Sequence, residues 1–308
     1  MSYKHTTTAV LICISLLLLF PVKMAFAIED ELRVGVFPRR AVDRSIKMFT
    51  PMIEHLQKEL KRKVVLDVPP DMPAFWSRLE QGKYDLVHMN QYHYVRAHAE
   101  LGWQAILKNE EFGKDSLAAA LWVHKDSNIK ELSDLTGKLI VFGGGDHAMV
   151  ASIMTRDMLQ QAGITDDSYI GMSTLHPVKS IISVYYRQAD AAGVGETVIQ
   201  IPQIRKKVDT GKLRILARTE PLAHLPWALS GNIGEDTRKR IVSSLLMLND
   251  SRQGKKMLKG AGLTGIRAAS DKDYDSHRKI IKRVLGEDYC CLLYTSPSPR
   301  DQRPNLVC

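Results

Sequence analysis

Two adjacent arginines, Arg39 and Arg40, close an apolar run at 32–37. A guanidinium offers parallel N–H donors that match two oxygens of a phosphate or phosphonate. A second polar group, His88, Asn90, Gln91 and Tyr92, closes another apolar run at 84–89. A third follows the run at 139–142, where Gly143, Gly144 and Gly145 lead through Asp146 and His147 into a helical pattern. Free backbone N–H groups and the positive end of a helix attract an anion at such a place. The common chemistry is reversible capture of a small anion by many hydrogen-bond donors. The chain offers no nucleophile elbow, phosphate-binding Walker loop or His-Glu-x-x-His pattern. His88, His176 and Glu196 can still be drawn as acid and base, so an enzyme remains one alternative.

These groups need strands to carry them. Apolar runs at 32–37, 64–68, 84–89 and 105–108 alternate with amphipathic stretches at 41–60, 75–81 and 91–100, the pattern of an α/β protein with mostly parallel strands. Pro51 falls inside the first amphipathic stretch and is expected to bend that helix. Further runs at 116–123, 139–142, 189–193 and 213–217 continue the alternation, with a helix expected over 148–161 and mostly helix over 234–285. In such sheets ligands bind beyond the carboxyl ends of strands, where the three polar groups fall. His93 and His98 are expected to face solvent, and Trp76, Tyr185 and Tyr186 to serve the core.

Composition and the ends narrow the class. Lys4 precedes an apolar run at 9–20, and Ala-Phe-Ala at 25–27 supplies small residues for cleavage, so 1–27 reads as a signal peptide with the mature chain starting near Ile28. A helix over that run rises only about 18 Å, short of a hydrocarbon core of about 30 Å. Ile12 before Cys13 argues against a lipid attachment site. At the other end, CLLYTSPSPRD at 291–301 resembles a translated sequencing adapter, and 291–308 is read as a disordered read-through tail. Setting aside Lys4, Lys23, Arg300, Arg303 and Asp301 takes the 43 basic and 34 acidic residues to 39 and 33, a net charge of +6. That mild excess suits an anionic ligand and is too dispersed for nucleic acid. Only Cys290 remains between leader and tail, which leaves neither an internal disulfide nor a cysteine metal cluster.

The segments LRVGVFPRR at 32–40, YDLVHMNQYHYVRA at 84–97, LTGKLIVFGGGDHAM at 135–149, YYRQADAAGVGE at 185–196 and PLAHLPWAL at 221–229 together resemble the phosphate, phosphite and phosphonate binding proteins of ABC importers. The resemblance implies a type II periplasmic binding protein: 28–118 plus 219–290 as the first lobe, 119–218 as the second, crossovers at 116–123 and near 213–218, and a ligand cleft between them. It implies a periplasmic monomer that captures a small phosphate-like oxyanion without a cofactor, metal or nucleic acid, and delivers it to an inner-membrane permease and ATPase. A receptor subunit for a sensor kinase is the other alternative. His176 and Glu196 stand twenty positions apart, as a ligand-contacting His and Glu do in the family. His224 replaces a family Asp. Met149-Val150-Ala151 replaces a Ser-Thr-Ser run of hydroxyl donors, so Met149 enters the expected site in place of a hydroxyl and the specificity is expected to be modified.

Overall fold

In this computed structural model residues 31–289 are described; the expected leader, Cys290 and the expected tail lie outside them. Two mixed sheets, each flanked by helices, form two lobes. The first has the order β13-β4-β12-β3-β1-β2, from β1 (Leu32–Val36), β2 (Val64–Asp67), β3 (Leu86–His88), β4 (Gln104–Glu110), β12 (Pro226–Leu229) and β13 (Gly265–Ala268). β1 runs parallel to β2 and β3, and β12 is wedged antiparallel between β3 and β4. Pro226 is tolerated because it opens its strand. Helix α1 (Val42–Leu60) places Phe49, Met52, Ile53, Leu56 and Leu60 on one stripe against Leu32 and Val34 of β1. It runs unbroken through Pro51.

The second sheet has the order β10-β6-β9-β7-β8, from β6 (Ala119–His124), β7 (Leu139–Gly143), β8 (Ile170–Thr174), β9 (Ala191–Gly195) and β10 (Leu213–Arg218). β7 is parallel to β8 and β9, whereas β6 is antiparallel to both β9 and β10. Antiparallel pairing is more frequent than strand–helix alternation suggests, because the two passages between lobes run side by side in opposite directions. Two short strands, β5 (Ser116–Leu117) and β11 (Leu222–Ala223), form the antiparallel ladder at that crossing. Just beyond it Ala119 N–H donates to Thr219 Oγ1 at 3.0 Å, and Thr219 N–H to the Ala119 carbonyl at 2.9 Å.

The stretch expected to be helical over 234–285 contains β13. Its four residues, two of them exposed, are too few to display a period of two. The Asn249 amide completes its outer edge, accepting from Ile266 N–H at 3.0 Å and donating to the Ile266 carbonyl at 2.8 Å. Helix α9 (Asp275–Leu285) packs against both α3 (Gln91–Leu101) of the first lobe and α4 (Met154–Gln161) of the second. Arg283 seals the latter contact through Nε and Nη2 to Asp157 at 2.8 and 2.9 Å.

Candidate functional site

The ladders bring the polar groups to two facing edges. β1, β3 and β4 all end at one edge of the first sheet, and β12 begins there. Arg39, Arg40, His88, the turn after Glu110 and His224 therefore share that edge. β7, β8 and β9 end together at the crossover side of the second sheet, which carries Gly144, Asp146, His147, His176 and Glu196.

On the first lobe, Arg39 Nη1 donates to Glu111 Oε1 at 3.0 Å. Glu111 is held by a tight turn in which its N–H and carbonyl both pair with Lys114 at 3.0 Å. Burial pushes the Glu111 carboxyl up, but the charges of Arg39, His224 and Arg40 and the Arg39 hydrogen bond outweigh it and hold the group below its ordinary range. Arg40 makes no hydrogen bond or ion pair among the described residues. Burial, then the Arg39 charge, lowers it to about 10 against the pull of Glu111.

His88 is buried among Phe37, Phe49 and Trp227, with ring centroids at 5.4, 5.5 and 4.7 Å. Its Nε2 lies 2.9 Å from Asn109 Nδ2, and Asn109 Oδ1 accepts from Trp227 Nε1 at 2.9 Å. Burial, then Arg39, lowers His88 to about 3. His224 is fully buried, accepts at Nδ1 from Leu225 N–H at 2.8 Å, and is lowered to about 4, chiefly by burial, with Glu111 opposing. Gln91 is also buried, its Nε2 donating to the Ala223 carbonyl at 3.1 Å.

Asn90 caps α3, accepting from Tyr92 N–H at 2.8 Å. The Tyr92 ring stacks on His147 of the opposite lobe at 4.7 Å with 26° between planes, and its hydroxyl donates to Glu287 at 2.8 Å. Burial raises that hydroxyl to about 12.

The glycine loop differs from expectation. Gly144 and Gly145 N–H both donate to the Thr174 carbonyl, at 2.6 and 3.1 Å, so these two amides are spent within the loop. Gly143 is required there, since a Cβ would sit 2.7 Å from Pro177 Cα. Asp146 accepts from Ser173. The helix opens with a π-turn (Met149–Ile153) rather than at 148 as α-helix. Met149 is fully buried in an apolar cluster with Tyr92 and Ile281, which turns its side chain to packing rather than to the cleft.

His176 precedes helix α5 (Pro177–Tyr185), exposed and without a side-chain cap bond. Glu196 is paired with Lys114 Nζ at 2.5 Å and lies 3.7 Å from Arg218; no contact joins it to His176 among the described residues. Two surface expectations and one core expectation also fail. His98 Nδ1 lies 2.7 Å from the Trp103 carbonyl, and His93 packs on Tyr92 at 5.1 Å. Tyr186 is 60 % exposed rather than core.

Asn109, Glu111, Lys114 and Arg218 are additions. The rule of looking past strand ends would have flagged Glu111, which follows β4 as Arg39 follows β1. A cleft of about 460 Å³ at the crossing is lined in part by Lys114, Asp115, Glu196 and Arg218. Another of about 420 Å³, lined by His124, Asp126, Lys138 and Arg187, lies at the far edge of the second sheet, away from these groups.

Two sheets that present strand ends to each other across paired crossover strands define a type II periplasmic binding protein. Residues 34–274 match the family described as ABC transporter, phosphonate, periplasmic substrate-binding protein, and the chain belongs to that family. Among solved structures it is similar to a Prochlorococcus marinus protein in complex with methylphosphonate (TM-score 0.70, 20% identity, covering 83% of this chain and 99% of that one). A binding protein component of an ABC phosphonate transporter from Pseudomonas aeruginosa matches at TM-score 0.70 and 12% identity, covering 83% and 86%. A Xanthomonas citri protein bound to ATP matches at 0.71 and 16%, covering 83% and 98%. At these identities the likeness speaks for the fold alone.

Proposed function

We propose that this protein captures a small phosphate-like oxyanion, of the phosphate, phosphite or phosphonate class, between its lobes and presents it to an inner-membrane permease and ATPase. The observation that carries the reading is the gathering of Arg39, Arg40, His88 and His224 at one sheet edge, opposite Asp146 and His147 at the other. The methylphosphonate held by the Prochlorococcus neighbour supports the ligand class. Charge-assisted hydrogen bonds strengthen as closure removes water. The lobes are 28–118 plus 219–290 and 119–218, the chain acts as a monomer, and 1–27 is removed on export.

A thermal-shift screen over phosphate, phosphite, methylphosphonate, sulfate and amines tests this. A ligand at a hundredfold over its Kd adds about 2.7 kcal/mol. The reading fails if no oxyanion raises the melting temperature. Arg39→Ala and His147→Ala, one on each lobe, should each weaken binding without unfolding the protein, and sedimentation should return a monomer mass.

A further inference from the structure

The cleft of about 460 Å³ at the crossing has a wall of glycine, hydroxyls and charges, to which Ala118 and Pro221 add the apolar side chains. Lys114 comes from the turn after β4, Glu196 from the end of β9 and Arg218 from the end of β10, so both lobes and a crossover strand contribute. Glu196 is only 10 % exposed and is answered twice. Lys114 Nζ donates to its Oε1 at 2.5 Å, and Arg218 Nη1 lies 3.7 Å from its Oε2. One carboxylate cannot neutralise two cations. At 3.7 Å Arg218 makes an ion pair but no hydrogen bond, and its side chain has no other partner among the described residues. The other acids of the wall offset little of this charge: Asp115 is paired with Lys108 at 2.9 Å, and Glu220 is exposed.

One turn joins this cavity to the arginine edge of the first lobe. Arg39 Nη1 donates to Glu111 Oε1 at 3.0 Å, and the N–H groups of Glu111 and Lys114 each donate to the other's carbonyl at 3.0 Å. The ends of so tight a turn lie within about 7 Å at their Cα atoms. His224 N–H donates to the Asp115 carbonyl at 3.1 Å, which ties the cavity wall to the same edge. We propose that the cavity receives the far end of the ligand and that this end is a carboxylate, so that the preferred ligand is a phosphonate bearing a carboxylate on a short carbon spacer. The inference rests on the oxyanion reading above and narrows it. A carboxylate accepts from the unused N–H groups of Arg218 and Lys114. An ammonium meets two cations around an acid already in use, and an alkyl chain finds little apolar wall to lie against. Arg218 is 68 % exposed, so screening holds the gain to a modest factor.

Calorimetric titration of the protein with 2-carboxyethylphosphonate, propylphosphonate and 2-aminoethylphosphonate tests the idea, because the three share a head and a two-carbon spacer and differ at the far end. The carboxylate compound should bind at least about fivefold tighter than propylphosphonate, the scale of a partly screened charge contact. The ammonium compound should bind no tighter than propylphosphonate. Arg218→Gln should bring the carboxylate-to-propyl ratio within about twofold. Unliganded melting curves establish that the variant folds, and Lys114→Gln is read in its place if it does not. A smaller wild-type ratio, a ratio that survives the substitution, or 2-aminoethylphosphonate binding tighter than propylphosphonate overturns the carboxylate seat and leaves the oxyanion reading standing. If none of the three phosphonates, nor phosphate, nor phosphite binds, the oxyanion reading falls and this inference with it.

Discussion

Tyr92 and His147, one from each lobe, stack with ring centroids 4.7 Å apart while the Tyr92 hydroxyl is tied to Glu287. A phenol fixed at its far end cannot follow His147 if the lobes part, so the stack reports closure directly. An aromatic pair contributes about 0.5–1.5 kcal/mol beyond its buried area. Tyr92→Ala and His147→Ala should each weaken ligand binding, and the double variant by less than the sum. A double-mutant cycle on Kd checks it; additive effects would mean the pair does not contribute to the bound state.

Acid should weaken the fold in a traceable way. His88, His224 and His277 are held, chiefly by burial, at about 3, 4 and 3, below the ordinary 6.5. As pH falls below about 6.5 the unfolded chain takes up these protons first, so stability is lost on acidification down to the folded values. Each histidine contributes a slope of about 1.4 kcal/mol per pH unit in that window. Urea unfolding between pH 6.5 and 4.5 should show His224→Gln with a slope shallower by one proton. An unchanged slope would mean that His224 is already protonated in the native state.

The Lys114–Glu196 pair joins a turn of the first lobe to the end of β9 at 2.5 Å, with Lys114 half exposed. Screening limits such a pair to less than about 1 kcal/mol, so Lys114→Met should barely move the melting temperature. Its effect should appear in selectivity. Glu196, relieved of the Lys114 ammonium and left with Arg218 at 3.7 Å, gains capacity to accept one from the ligand, and 2-aminoethylphosphonate should gain affinity relative to methylphosphonate. Competition titrations that show no change would place Glu196 outside the ligand's reach.

Capture requires that the ligand return unaltered. No turnover is expected when methylphosphonate is incubated with the protein and followed by phosphorus NMR; conversion beyond one equivalent would contradict a purely binding role.

The sequence made the strand ends legible because apolar runs stop where polar residues begin, as at Phe37 before Arg39 and at Met89 before Asn90. It did not reveal which charges neutralise one another. Glu111 answers Arg39 from 72 positions away, and Lys114 answers Glu196 from 82. The glycine loop looked like free amides for the same reason: the Thr174 carbonyl that consumes them arrives from β8, which nothing in the local pattern announces. Met149 was read by analogy as a site residue, whereas its apolar side chain finds more contact in the cluster beneath Tyr92. β13 was lost because four residues carry no period, and the Asn249 amide that finishes its edge is distant in sequence.

The cluster that takes in Met149, Ile153 and Met154 also holds Tyr92, Val95 and Ile281. Parting the lobes at that loop would draw fully buried side chains into water, at about 1.5–3 kcal/mol for each one exposed. That contact opposes parting of the lobes with or without a ligand, so a ligand arriving from solution must wait for it to loosen. Entry and escape pass through the same infrequent event, so a bound molecule would be held longer than its affinity alone suggests. A transporter awaiting this protein would then receive its cargo at a tempo set by the loosening of three apolar side chains.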